Sequence, residues 1–232
     1  MYKNLEILNK VTHKEEAVKQ ITNYTYAKET INAPITVAEF FEACKDYPIF
    51  FAKDANQSWT ATVMLGYKEK ENVFVDKDGK WEPNRYIPAF VRRYPFIFVT
   101  NPENDDLTLA LDKECLSTNK EDEGRKFFDN EGNNTEFLNN VLSFLSQFQN
   151  DAKATNGFIK QLEEWELLEE KVATIVNQKQ EQYNINGFYV VNEEKLKHLS
   201  KKKKEAICNN NATPLITAHL LSLSNIQKIG NR

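Results

Sequence analysis

Tyr86-Ile-Pro-Ala-Phe-Val-Arg-Arg-Tyr-Pro-Phe-Ile-Phe98 decides how this chain is read, because apolar and aromatic residues bracket two adjacent arginines between two prolines. Pro88 suits the first turn of a short helix, where its missing N–H is no loss. Pro95 disfavours helical geometry at Tyr94 and ends the turn. At about 100° per residue, Phe90, Val91 and Tyr94 share one arc, Arg93 lies on its flank and Arg92 nearly opposite. The run therefore predicts one turn of helix with its rings packed inward and Arg92 directed to solvent or a groove. As a core ring, Phe90 is expected to cost about 3–5 kcal/mol on truncation to Ala.

Upstream the pattern is mostly that of strands. Residues 1–34 are polar, with Leu5, Ile7 and Leu8 as an early apolar cluster, and read as an extended edge and loop. Thr36-Val-Ala-Glu39 has capping-box spacing, in which hydroxyl and carboxylate each satisfy an orphan N–H at a helix start. Val37, Phe40, Phe41 and Cys44 then fall on one face. Ile49–Ala52, Trp59–Tyr67 and Asn72–Asp76 read as strands; in the second, Trp59, Ala61, Val63 and Leu65 alternate as expected of an antiparallel sheet with one mainly buried face. Asp76-Lys-Asp-Gly79 lacks the later ligands and closing Glu of a calcium loop, so it reads as a hairpin turn.

Downstream, Phe96–Thr100 and Leu107–Leu111 are strand patterns joined by the turn-like residues 101–106. Residues 117–134 form an acidic loop pinned by Phe127 and Phe128. Thr135 opens the longest helical pattern, with Leu138, Val141, Leu142, Leu145, Phe148 and Ala152 repeating at three and four. Asn156-Gly157 interrupts it before Phe158, Leu162 and Trp165 resume. This stripe reads as core. Val172–Val176 and Gly187–Val191 are strand-like, Glu193–Leu199 starts a short helix, Lys201–Lys204 reads as a solvated stretch, and Pro214–Leu223 is a mainly apolar helix holding His219. The expected fold is α+β: a mainly antiparallel sheet with a short central helix, followed by a long helix and a smaller C-terminal α/β portion. One domain over residues 1–232 is expected, strand-rich over 1–116 and helix-rich over 135–232.

A globular chain of 232 residues buries roughly 70–75% of its unfolded surface, so its core needs no disulfide or metal. The net charge of −4 and pI near 5.6 argue against nucleic acid as a principal partner. Cys44, Cys115 and Cys208 lack CxxC spacing, and the three histidines lack ligand spacing, so no metal and no cofactor are expected. The N-terminus has no apolar signal core, and no window approaches eighteen apolar residues. A cytoplasmic protein without membrane insertion is expected, with surface association possible only by a non-Sec route.

Phosphate cradles, GxSxG and HExxH are all missing from the sequence. The sharpest functional feature is Arg92-Arg93, whose guanidinium forks match carboxylate or phosphate through paired hydrogen bonds. With Tyr94 they are the expected ligand-binding residues. Structural ion pairs to the chain's own acids are the competing explanation.

Asn72–Trp81, Tyr86–Phe96, Gly187–Leu196 and His219-Leu-Leu-Ser-Leu-Ser-Asn225, in that order over nearly the whole chain, resemble the bacterial SapC family. The resemblance implies a role near surface-layer production or export, and transfers no catalytic residue, substrate or cofactor. Lys201–Lys204 and Asn209–Asn211 depart from the family's usual acidic and apolar residues there. The first expectation is thus a non-catalytic accessory protein that engages a protein, a peptide or a small anionic ligand beside Arg92. The alternatives are an acyl- or amine-group transferase with Glu39 or His219 as base, and a structural component of the surface layer.

Overall fold

The computed structural model describes residues 1–54, 57–100, 107–117 and 124–232. In chain order the elements are β1 Leu5–Ile7, β2 Ala17–Val18, β3 Asn32–Ile35, α1 Phe40–Ala43, β4 Ile49–Lys53, β5 Trp59–Met64, α2 Ala89–Arg92, β6 Phe96–Thr100, β7 Leu107–Asp112, β8 Leu116–Ser117 and β9 Arg125–Lys126. There follow α3 Glu136–Glu164, β10 Leu168–Val176, β11 Gln182–Val191, α4 Glu193–Lys197, α5 Lys201–Asn209, α6 Ala212–Ser222 and α7 Ile226–Gly230. Every strand pairing is antiparallel, which makes the fold α+β.

The strands form sheets ordered β10-β11-β4-β5-β3, β1-β7-β6 and β8-β2-β9. The five-stranded sheet draws β3–β5 from the first half of the chain and β10–β11 from the last third. The C-terminal α/β portion is joined to the sheet begun upstream where β11 pairs with β4. Interior strand β5, between β4 and β3, is buried on both faces from Ala61 to Met64, and α3 packs against it. Its sequence alternates in hydrophobicity, yet Thr62 is also inside, donating from Oγ1 to the Ala33 carbonyl at 3.0 Å.

Two hydrophobic clusters share α3. One holds Phe40, Tyr47, Phe51, Val91, Phe158, Ile159 and Leu162; the other holds Val18, Phe96, Leu111, Phe127, Leu138 and Leu145. The Tyr86–Phe98 run joins them, with Val91 in the first and Phe96 in the second. Phe127 and Phe128 are both buried, pinning the end of the acidic loop as its sequence suggests.

Several expectations need correction. Phe90 is only half-buried: it packs at the margin of the first cluster, with the Arg93 guanidinium over its ring. Phe41 is 52% exposed although Phe40 beside it is sealed, because a single turn of helix buries just one side. Asn72–Asp76 is no strand: buried Asn72 accepts from Phe74 N at 3.0 Å and donates to the Ala27 carbonyl at 3.1 Å, bending the chain before the lone Val75–Trp81 bridge. The next four residues do turn, with Gly79 at φ +80° and Asp76 Oδ1 accepting from Asp78 N and Lys80 N. α3 runs through Asn156-Gly157 without a break. The expected turn at 101–106 lies outside the described residues.

The His219-to-Asn225 motif has a structural explanation. β4 and β11 share a single paired position, Tyr189 with Phe51, and α6 supplies the partners that this short ladder lacks. His219 Nδ1–H donates to the Ile49 carbonyl at 2.9 Å, while Nε2 accepts from Val191 N at 3.0 Å. Ser222 Oγ accepts from Ile49 N at 2.8 Å, and Asn225 Nδ2 donates to the Cys44 carbonyl at 2.8 Å. Polar residues three apart on one helical face thus satisfy backbone groups at a sheet seam, where an unpaired N–H or C=O would be costly.

Candidate functional site: a cationic cleft beside Arg92

Glu39 organises the site from beneath. Its Oε2 accepts from Thr36 N at 2.9 Å and Thr36 Oγ1 at 3.0 Å, completing the capping box that its spacing predicts. Oε1 accepts from Ala89 N at 2.7 Å and from the Tyr86 hydroxyl at 3.0 Å. One buried carboxylate therefore caps its own turn and anchors the start of α2. The segment is tied to the long helix as well, by Val37 N donating to Thr155 Oγ1 at 2.9 Å.

Arg92 leaves this anchored turn with its side chain exposed. Nε donates to the Ile87 carbonyl at 2.9 Å and one Nη to the Tyr86 hydroxyl at 3.3 Å. Burial and the neighbouring Glu39 push the Tyr86 hydroxyl up to about 12, so Tyr86 stays a neutral donor to Glu39 and acceptor from Arg92. The Arg92 guanidinium stands 5.5 Å from the Phe144 ring and 5.8 Å from that of Tyr86. Arg93 is half-buried over Phe90 at 4.3 Å and Phe148 at 5.4 Å, and its Nε is enclosed without an acceptor among the described residues. No acid of the described chain lies within ion-pair distance of either arginine, contrary to the structural ion-pair explanation.

Tyr94 is held differently. Its ring stacks on Tyr26 at 4.0 Å between centroids, and its hydroxyl donates to Asp112 Oδ2 at 3.1 Å. Burial, then Cys115 and Asp112, hold that hydroxyl well above the usual phenol range. Asp112, fully buried, also accepts from the backbone of Lys3 and Asn4 at 3.0 and 3.3 Å. Tyr94 can lend an apolar face to a ligand, but its oxygen is committed to the fold.

All three sequence-derived residues line one cleft of about 630 Å³, within the size range of ligand sites. Its other walls come from the chain leaving β2, from Arg125 of β9, and from the N-terminal half of α3, where Phe137, Asn140, Val141 and Phe144 face in. Lys19, Arg92, Arg93 and Arg125 make four cations against a single carboxylate, Glu136, and none of the four is ion-paired among the described residues. The sequence reading missed Lys19, Arg125 and the α3 residues. The α3 stripe that reads as core is in fact divided: Leu138 and Leu145 are buried in the second cluster, while Val141 is half-buried along the cleft, beside Phe144, which lies outside that stripe. The one available signal was the i, i+7 spacing of Phe137 and Phe144.

Neither base named for a transferase stands here. His219 is fully buried with both ring nitrogens bonded, and desolvation lowers it to about 4. Glu39 is buried beneath Tyr86 with both oxygens occupied. Among the described residues no cluster of His, Cys, Asp or Glu is arranged to hold a metal ion, and no helix is long and apolar enough to cross a membrane. No curated protein and no solved structure matches the chain. The SapC family model matches residues 8–229, almost the full length that contains this cleft, and the chain therefore belongs to the SapC family.

Proposed function

We propose that this SapC protein is a non-catalytic accessory protein that captures an anionic group of a protein, peptide or small ligand between Arg92 and Arg93, in a role tied to surface-layer production or export. The observation that carries this reading is that, among the described residues, the cleft holds four cations without an ion pair against one carboxylate, in a chain whose net charge is negative. Guanidiniums laid against rings keep hydrogen-bond donors free while the rings displace water. An incoming carboxylate or phosphate then meets a charge-assisted fork in surroundings less polarisable than bulk water. Tyr94, Phe137 and Phe144 offer the apolar surface beside it.

A titration with phenylphosphate, which joins an anion to a ring, tests the reading by NMR. Shifts confined to cleft residues, weakened in Arg92→Ala and Arg93→Ala and by added salt, are expected. Shifts unaltered by both substitutions overturn the placement. Cell fractionation tests the wider role: this reading expects the protein in the cytoplasm, whereas recovery in a cell-surface extract favours a structural layer component.

A further inference from the structure

The cleft has two positive ends at a defined separation. At one end Arg92 lies 5.5 Å from the Phe144 ring; at the other Arg125 lies 5.3 Å from the Phe137 ring. Phe137 and Phe144 are seven residues apart on α3, so they share a face and stand about 10 Å apart along the helix axis. Asn140 and Val141 line the interval, offering an amide and an apolar side chain. The opposite wall is the chain leaving β2. Lys19 N donates to the Cys115 carbonyl at 2.8 Å, but the N–H groups of Gln20 and Ile21 have no protein acceptor among the described residues.

We infer that this cleft takes an extended acidic peptide segment bearing two carboxylates in the pattern acid–x–x–acid, one read by Arg92 with Arg93 and the other by Arg125 with Lys19. The inference rests on the anion-binding reading above and narrows it to a peptide with two anchor points. An extended chain of polyproline-II geometry rises about 3.1 Å per residue with three residues per turn, so side chains i and i+3 point the same way about 9 Å apart. That interval is close to the helical rise of about 10 Å between Phe137 and Phe144, the rings beside the two arginines. The N–H groups of Gln20 and Ile21, which have no acceptor among the described residues, are donors for the carbonyls that such a peptide leaves unpaired, and Val141 lines the interval between the acids. A phosphate or other single compact anion reaches only one end.

Fluorescence anisotropy with a labelled Ala-Glu-Ala-Ala-Glu-Ala peptide tests this, beside peptides with either Glu or both replaced by Gln, and beside a Glu-Ala-Glu spacing. The proteins are wild type, Arg92→Gln, Arg125→Gln and the double variant; both side chains are exposed, so each fold is expected to survive and is checked by thermal melt. Each single loss, in peptide or protein, is expected to weaken binding about tenfold, the scale of one charge-assisted pair. Arg125→Gln should cost nothing further once the matching Glu is gone, and the shorter spacing should bind less tightly. Equal binding of one-acid and two-acid peptides, or dependence on Arg92 alone, overturns the two-point inference and leaves the single-anion reading intact. Absence of binding by every peptide, together with phenylphosphate shifts indifferent to Arg92 and Arg93, overturns both. Competition by duplex DNA or anionic vesicles at lower concentration than the peptide assigns the charge to another partner and also overturns it.

Discussion

Arg93 and Phe90 show how a side chain's surroundings, more than its helical angle, decide what it does. An angular argument places Phe90 inside with Val91, but only Val91 is fully sealed, while Phe90 packs at the edge of the first cluster and also covers the Arg93 guanidinium. Phe90→Ala is therefore expected to cost about 1–2 kcal/mol, from partial burial and a lost cation–π contact. Phe40→Ala, at a fully buried ring, should cost about 3–5 kcal/mol. Urea midpoints of the two variants check the contrast, and equal shifts would show Phe90 to be core. His219 makes a second residue-level case. It folds neutral, lowered to about 4 from an ordinary value of 6.5, so between those values the unfolded chain binds more protons. Stability is then full above about pH 6.5 and declines as pH falls toward 4, by up to about 3 kcal/mol over the whole window. Denaturation midpoints at pH 7.5 and 5 should reveal the decline, and His219→Gln, though less stable at pH 7.5, should flatten it.

At the scale of elements, α3 performs two tasks along its 29 residues. Its C-terminal half covers the five-stranded sheet through Phe158, Ile159 and Leu162, and its N-terminal half closes the second cluster while exposing a side to the cleft. Thr135 fixes where that wall begins: its Oγ1 accepts from Leu138 N at 3.3 Å and donates to the Lys126 carbonyl at 2.8 Å, joining the helix to β9 and so to Arg125. Thr135→Ala is expected to lower stability by about 1–2 kcal/mol through loss of the cap, read as a fall in melting temperature. An unchanged melt would mean that the helix start is held by Phe127 and Leu138 packing alone. The cap, the long apolar repeat and the capping box at Thr36 were all legible in the sequence, because each depends on residues within one or two turns of each other.

For the whole molecule, the decisive feature is that the five-stranded sheet is built from both ends of the chain, with α3 crossing between. Fragments cut in the loop before α3, residues 1–134 and 135–232, should each fail to show a cooperative thermal transition, since β10–β11 would lose β4 and the first core its covering helix. A sharp melt in either fragment would contradict this. Local pattern alone determined the α+β class, the short proline-bounded turn that carries Arg92, most strand positions and the family motifs, since propensity and periodicity act over a few residues. The cleft was decided only by the tertiary structure. It assembles residues 18–21, 92–96, 125 and 136–145, and its positive character is invisible in a chain of net charge −4. The physical reason is that a field depends on which charges are brought together and which are left without a counterion. Long-range packing settles both, and no window of sequence contains them.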